Sequence, residues 1–112
     1  MIIIKSKTVI GHEFNYAPVI EDQIFNIKMY PLQGTLIGTI VATDSNPGQT
    51  LTYEITAGNS NGIFSININT GELFVELRFE FYPRTFYLRV KVTDSGTPTL
   101  SDIAIIRVDV YE

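Results

Sequence analysis

Apolar and polar residues alternate with a period of two along much of the chain. In one segment Leu51, Tyr53 and Ile55 share a face, while Thr52 and Glu54 lie on the other. This is the pattern of a strand that buries one side. The same alternation predicts further strands at residues 64–68, 73–75, 88–92 and 104–110.

Two further predicted strands are bounded by turn-forming residues. Residues 19–27 follow Pro18. Proline cannot donate a ladder hydrogen bond, so in sheets it is found mainly at the start of a strand or on an edge. Residues 35–43 begin after Gly34 and end at Asp44, where Ser-Asn-Pro-Gly follows. An Asn-Thr-Gly turn ending at Gly71 predicts that the strands on either side of it form a hairpin.

The composition supports the same fold class. Val, Ile and Thr number 8, 16 and 12, whereas Ala and Leu number only 4 and 7, so β-branched residues outnumber strong helix formers. About seven strands at roughly ten-residue spacing, with no predicted helix, indicate an all-β, seven-stranded Greek-key β-sandwich of immunoglobulin-like architecture. A small barrel is the alternative.

Length and charge exclude several kinds of function. A chain of 112 residues predicts one domain. Twelve acidic against eight basic residues argue against nucleic-acid binding. The absence of cysteine and the single histidine, His12, exclude thiolate sites and multi-histidine metal sites. The apolar start at residues 1–4 is interrupted by Lys5 and is too short to span a membrane, so we expect no membrane segment.

Oxygen-bearing side chains are concentrated beside three turns, at Asp44 with Asn46, at Asp94, and at Glu80. Calcium binds six to eight oxygen ligands in flexible geometry and needs neither histidine nor cysteine. The alternative for each aspartate at a strand end is an Asx turn, in which the carboxylate accepts a backbone hydrogen bond two residues on. Because Asp44 and Asp94 end strands that can meet at one pole, they could converge on one ion.

Residues 17–110 resemble a cadherin repeat, particularly the cadherin-like repeats of large microbial surface proteins. We therefore expect residues 1–16 to be an N-terminal linker or leading strand and residues 17–112 to be the cadherin-like domain. The matching segments, in the family's order, are Ala17-Pro18-Val19-Ile20 with Asp22-Gln23, Gly34-Thr35-Leu36-Ile37-Gly38-Thr39, Val41-Ala42-Thr43-Asp44, Leu51-Thr52-Tyr53, Gly62-Ile63-Phe64-Ser65-Ile66, Asn69-Thr70-Gly71-Glu72-Leu73 and Val92-Thr93-Asp94-Ser95-Gly96-Thr97-Pro98.

The resemblance implies a calcium site at the junction with an upstream repeat. Cadherin repeats hold calcium between neighbours, so this chain would supply Asp44 and Asp94 as anionic ligands and Asn46 and Asn15 as neutral oxygens. Half a site offers few ligands, and we expect calcium binding by the isolated domain to be weak. The resemblance further implies an extracellular or cell-surface location, neighbouring repeats as partners, and a role in adhesion or as a rigid spacer. Homophilic contacts, another surface protein or a glycan are the further partners to consider.

The ligands expected at the other end of the repeat are largely missing. The family's Leu-Asp-Arg/Phe-Glu element is present as Leu77-Arg78-Phe79-Glu80, so only Glu80 matches a ligand, and the cationic Arg78 would repel calcium from it. We therefore expect the downstream junction to be poor in calcium, or this repeat to end its array.

Carbohydrate binding is the second function to consider, because β-sandwiches often bind sugars and an aromatic run contains Phe79, Phe81, Tyr82, Phe86 and Tyr87. Core packing is the simpler interpretation for most of these rings. Tyr82 and Tyr87 are the candidates for exposed sugar platforms.

Catalysis is not expected, and we predict that the chain is not an enzyme. The carboxylates Glu72 and Glu76 lie near the predicted hairpin. A paired-carboxylate hydrolase also needs a pocket around them, which a single small sandwich seldom forms.

Overall fold

The computed structural model describes residues 14–78 and 83–112. Within these two ranges the chain forms nine strands and no helix, which confirms the all-β class. The strands are β1 (Val19–Ile20), β2 (Gln23–Lys28), β3 (Leu36–Thr39), β4 (Ala42–Thr43), β5 (Leu51–Ala57), β6 (Phe64–Ile66), β7 (Glu72–Val75), β8 (Arg84–Asp94) and β9 (Ser101–Tyr111). Across the same ranges no helix is long and apolar enough to cross a bilayer.

The strands form two main sheets and one short pair. The larger sheet has the order β2-β9-β8-β5, and β2 runs parallel to β9 while the other neighbours are antiparallel. The smaller sheet has the order β3-β7-β6 and is antiparallel. The remaining pair is β1 with β4. The two main sheets enclose one apolar core, which confirms the β-sandwich.

The two longest strands supply much of the core through strict alternation. Every second residue of β8 and β9 points inward, and Leu88, Val90, Ile106 and Val108 have no exposed surface. Phe86 packs edge-on against Phe64 of the opposite sheet, with ring centroids 5.0 Å apart. The outward residues between them remain accessible, so the period-two pattern predicted these faces correctly.

The prediction of one continuous strand over residues 19–27 was wrong. β1 pairs with β4, whereas β2 pairs with β9. The strand pairing is therefore interrupted between β1 and β2. At the break Asp22 accepts a hydrogen bond from the backbone N–H of Ile105, at 2.8 Å. A side chain thus replaces a ladder bond where the strand changes partner.

The expected strand at residues 35–43 is also divided, into β3 and β4. Between them the side chain of Gln23 bonds to both backbone groups of Val41, accepting from its N–H and donating to its carbonyl oxygen, each at 3.0 Å. The buried Ile40 donates its N–H to the carbonyl oxygen of Gly71 at 2.9 Å. These two breaks explain why nine strands are present where seven were expected.

The predicted hairpin is confirmed. Strands β6 and β7 pair antiparallel through Phe64–Val75, Ser65–Phe74 and Ile66–Leu73. The turn ends at Gly71, whose φ of 78° lies in the region that favours glycine. A Cβ there would lie 2.7 Å from the carbonyl oxygen of Ile40, so the turn requires glycine for its space as well as its conformation.

The sandwich has two distinct ends. We call the end formed by Asn15, Asp44, Asn46 and Asp94 the linker pole, because the incoming segment before β1 reaches the domain there. The opposite pole contains the end of β9, where Tyr111 accepts a hydrogen bond from the backbone N–H of Met29 at 2.8 Å. Entry and exit of the described chain therefore lie at opposite ends.

Candidate metal centre

The structure brings together four of the five side chains that the sequence singles out as ligands. Asp44 follows β4, Asp94 ends β8, and Asn46 lies in the turn after Asp44. Asn15, in the incoming segment, donates to Asp94 across 79 residues of sequence. The fifth candidate, Glu80, lies outside the described residues.

Asp94 is the most constrained of these groups, because only 4% of it is exposed although it is an acid. Its Oδ1 accepts hydrogen bonds from Leu100 N (2.9 Å), Gly96 N (3.1 Å) and Asn15 Nδ2 (3.3 Å). Burial raises the pKa of Asp94, but these hydrogen bonds outweigh it and hold the pKa below its ordinary value. At pH values above the ordinary pKa of an aspartate, the charged form of Asp94 therefore stabilises the fold. This stabilisation is lost as the pH falls through the pKa that Asp94 has in the folded protein.

Both aspartates form the Asx turn that was the alternative to a ligand role. Asp44 Oδ1 accepts from Asn46 N at 2.8 Å, and Asp94 Oδ1 accepts from Gly96 N at 3.1 Å. In each case the turn uses only Oδ1. The two Asx turns therefore leave the second oxygen of each carboxylate available for another role.

The second oxygens, Asp44 Oδ2 and Asp94 Oδ2, are buried and have no hydrogen-bond partner. A buried carboxylate oxygen without a partner is costly, because the charged group has lost its contact with water and has gained no hydrogen bond in return. A hard cation such as calcium would satisfy both oxygens. The donor set at the linker pole therefore fits calcium.

The described residues supply only part of a coordination shell. Across residues 14–78 and 83–112, no group of three or more His, Cys, Asp and Glu side chains is placed to hold a metal ion. Since calcium takes six to eight oxygens, the two carboxylates need ligands from elsewhere.

Asn15 fills the space beside Asp94. Its Nδ2 donates to the carbonyl oxygen of Pro98 at 2.7 Å as well as to Asp94, and its Oδ1 accepts from Gln49 Nε2 at 3.4 Å. A Cβ at Gly96 would overlap the Asn15 amide. Gly96 therefore makes room for the Asn15 side chain.

Substitution Gly96→Ala is expected to displace the Asn15 side chain and to lower the free energy of unfolding by about 1–2 kcal/mol, because its hydrogen bonds are lost. Urea unfolding measures the loss, and the side-chain amide resonances of Asn15 report the displacement. Thr99→Ala, an exposed change in the same loop, is the control and should have little effect. An unchanged Asn15 resonance in Gly96→Ala would contradict this account.

Sequence reasoning missed the supporting residues of this pole. Ser95 Oγ donates to Gln49 Oε1 at 3.1 Å and accepts from Thr50 N at 3.0 Å, which ties the loop after β8 to the loop before β5. Ser95 and Gly96 belong to a recognisable motif, but only the structure shows what they contact.

The opposite pole carries apolar side chains. Tyr30, Leu32, Leu77 and Tyr111 are each about half exposed or more. Tyr30 has a φ of 61°, a left-handed conformation that is uncommon for a residue other than glycine. No carboxylate pair comparable to that of the linker pole is found among the described residues at this end.

The aromatic run divides between core and surface. Phe86 is buried, whereas Tyr87 is 61% exposed on the outer face of the larger sheet. The expectations for Phe79, Phe81 and Tyr82 lie outside the described residues.

Comparison with known protein families matches residues 25–111 to the cadherin domain. The chain belongs to the cadherin family. This cadherin domain is 38% identical over 84 residues to human Protocadherin Fat 1, covering 69% of the chain and 2% of that protein. It is 35% identical over 104 residues to mouse Protocadherin Fat 2, covering 88% of the chain and 2% of that protein. The cadherin domain thus spans a small fraction of the length of these relatives.

Solved structures agree with this assignment. The crystal structure of the human Desmocollin-1 ectodomain superposes on the cadherin domain with a TM-score of 0.74 at 26% identity, covering 84% of this chain and 20% of that one. The curated relatives are animal cadherins and protocadherins. The narrower resemblance to repeats of microbial surface proteins is therefore not supported.

Proposed function

We propose that this cadherin domain is one extracellular repeat of a multi-repeat cell-surface protein and that its linker pole supplies half of an inter-repeat calcium site. The observation that carries the proposal is the pair of buried, unpartnered oxygens Asp44 Oδ2 and Asp94 Oδ2. Asp44 directly follows β4 and Asp94 is the last residue of β8, and both lie where the incoming segment reaches the domain.

Four residues of this chain would hold the ion. Asp44 and Asp94 would supply the negative charge, while Asn46 and Asn15 would remain neutral oxygen donors through the second lone pair of each amide oxygen. The first lone pairs accept from Tyr16 N at 2.7 Å and from Gln49 Nε2 at 3.4 Å. Calcium would neutralise the acids of two neighbouring repeats and join them through shared oxygen ligands.

The module would serve adhesion or act as a spacer, since cadherin domains are adhesion modules and repeats joined end to end form a stiff rod when the joints are fixed. The opposite positions of entry and exit in this domain suit an end-to-end array. Carbohydrate binding is the weaker alternative, because, of the two residues of the aromatic run that the structure describes, Phe86 is part of the core and only Tyr87 is exposed. The positions of these two rings do not favour catalysis, and we do not propose an enzymatic role.

Calcium titration of this chain, followed by amide NMR, tests the proposal. We expect weak saturable binding, with a dissociation constant of about 10⁻³ M or weaker because half the ligands are missing. Shift changes should be concentrated at Asn15, Asp44, Asn46 and Asp94. Submillimolar binding centred on Glu80, or no saturable change at the linker pole, would overturn it.

A further inference from the structure

The side chain of Asn46 holds the incoming segment through both ends of its amide group. Its Oδ1 accepts the backbone N–H of Tyr16 at 2.7 Å, and its Nδ2 donates to the backbone carbonyl oxygen of Phe14 at 2.8 Å. The two bonds reach one donor and one acceptor spaced two residues apart, as a neighbouring strand would do. An asparagine side chain can make both bonds at once, whereas a carboxylate can only accept.

The side chain of Asn15, the residue between these two contacts, reaches a second part of the linker pole. It donates to Asp94 Oδ1, at the end of β8, and to Pro98 O, in the loop after β8, at 3.3 and 2.7 Å. Its Oδ1 also accepts from Gln49 Nε2, in the loop after β4, at 3.4 Å. Residues 14–16 are therefore bonded to the loop after β4 through their backbone and to both the β4 and β8 ends through the Asn15 side chain.

Asn46 is itself fixed before it reaches the segment. Its backbone N–H donates to Asp44 Oδ1 at 2.8 Å, and this bond closes the Asx turn that sets its position. Just beyond the held residues, Pro18 is fully buried. The segment is thus anchored on both sides of Tyr16, by Asn46 and by the core.

From this geometry we infer that Asn46 is a positioning residue that keeps residues 14–16 docked on the domain when no metal is bound. The resemblance places Asn46 where the family's motif has a second acid, and a carboxylate there would repel the carbonyl oxygen of Phe14. With asparagine at this position the site has one anionic ligand fewer than with an acid, but the side chain makes two hydrogen bonds to the backbone of the incoming segment. The direction in which the chain enters the domain is consequently set without calcium.

This inference stands apart from the proposed function, because it concerns the metal-free protein. Hydrogen exchange of the Tyr16 amide, measured by NMR in the presence of a chelator, tests it. We expect Tyr16 to exchange at least about tenfold more slowly than an unstructured amide, and Asn46→Ala to remove that protection. One Asn46 side-chain amide proton should also exchange more slowly than those of the exposed Asn61.

The matched control is Asn61→Ala, which makes the same substitution in the loop between β5 and β6 and should leave Tyr16 unchanged. Slow exchange at Val90, in the core, would show that each variant remains folded. Rapid exchange of Tyr16 in the metal-free protein, or equal protection in Asn46→Ala, would overturn the inference. Protection that appears only after calcium is added would also overturn it while supporting the proposed site.

Discussion

Replacing Ile106 with alanine is expected to lower the free energy of unfolding by about 3 kcal/mol, within the range for large buried aliphatic residues. Ile106 has no exposed surface and lies on β9, between β2 and β8 in the larger sheet. Truncation removes buried carbon atoms and leaves a cavity that the neighbouring strands cannot close, since they are fixed by their ladder bonds. Urea denaturation followed by circular dichroism measures the loss.

Ile103→Ala provides a matched control for this change. It is the same substitution on the same strand, but Ile103 points outward and is 49% exposed. Its loss should cost less than about 1 kcal/mol, because surface substitutions change stability little. Equal destabilisation by the two variants would show that the inward and outward faces of β9 have been assigned incorrectly.

Replacing both Asp44 and Asp94 with asparagine is expected to weaken calcium binding by about a hundredfold. Because half a site already binds calcium weakly, no saturation should then be detected in the titration. The substitutions keep the size of each side chain and remove both anionic ligands. Chemical-shift titration of the variant against the unmodified chain measures the effect. The core amides of β8 and β9 should remain in place.

A second double variant separates local charge from net charge. Glu54→Gln with Glu76→Gln removes two exposed acids that are not among the proposed ligands and should leave calcium binding nearly unchanged. If it weakens binding as much as the double aspartate variant does, the effect comes from the overall charge of −4, and the carboxylates are not ligands.

The strand pattern was readable from the sequence because it depends on local alternation. Burial alternates along β8 and β9 just as apolar residues do, and the Asn-Thr-Gly turn predicted the β6–β7 hairpin. The breaks in the two divided strands were not readable. They depend on Asp22 bonding to Ile105 and on Gln23 bonding to Val41, contacts between residues 83 and 18 positions apart.

The composition of the linker pole could also be predicted, whereas its geometry could not. Turn residues marked Asp44 and Asp94, and the family resemblance placed them at one end. Which carboxylate oxygen is engaged depends on backbone donors such as Leu100 N, six residues beyond Asp94. The two bonds of Asn46 depend on the path of the incoming segment, which leaves no local pattern in the sequence.

The parallel pairing of β2 with β9 determines how tension would pass through the domain. Both strands run from the linker pole towards the opposite pole, and six residue pairs join them, from Gln23–Ile106 to Lys28–Tyr111. Tension applied at the two ends would pull β2 and β9 in opposite directions along their length. Their hydrogen bonds would then be sheared together instead of opening one after another, so the strands joined to the two ends would separate cooperatively.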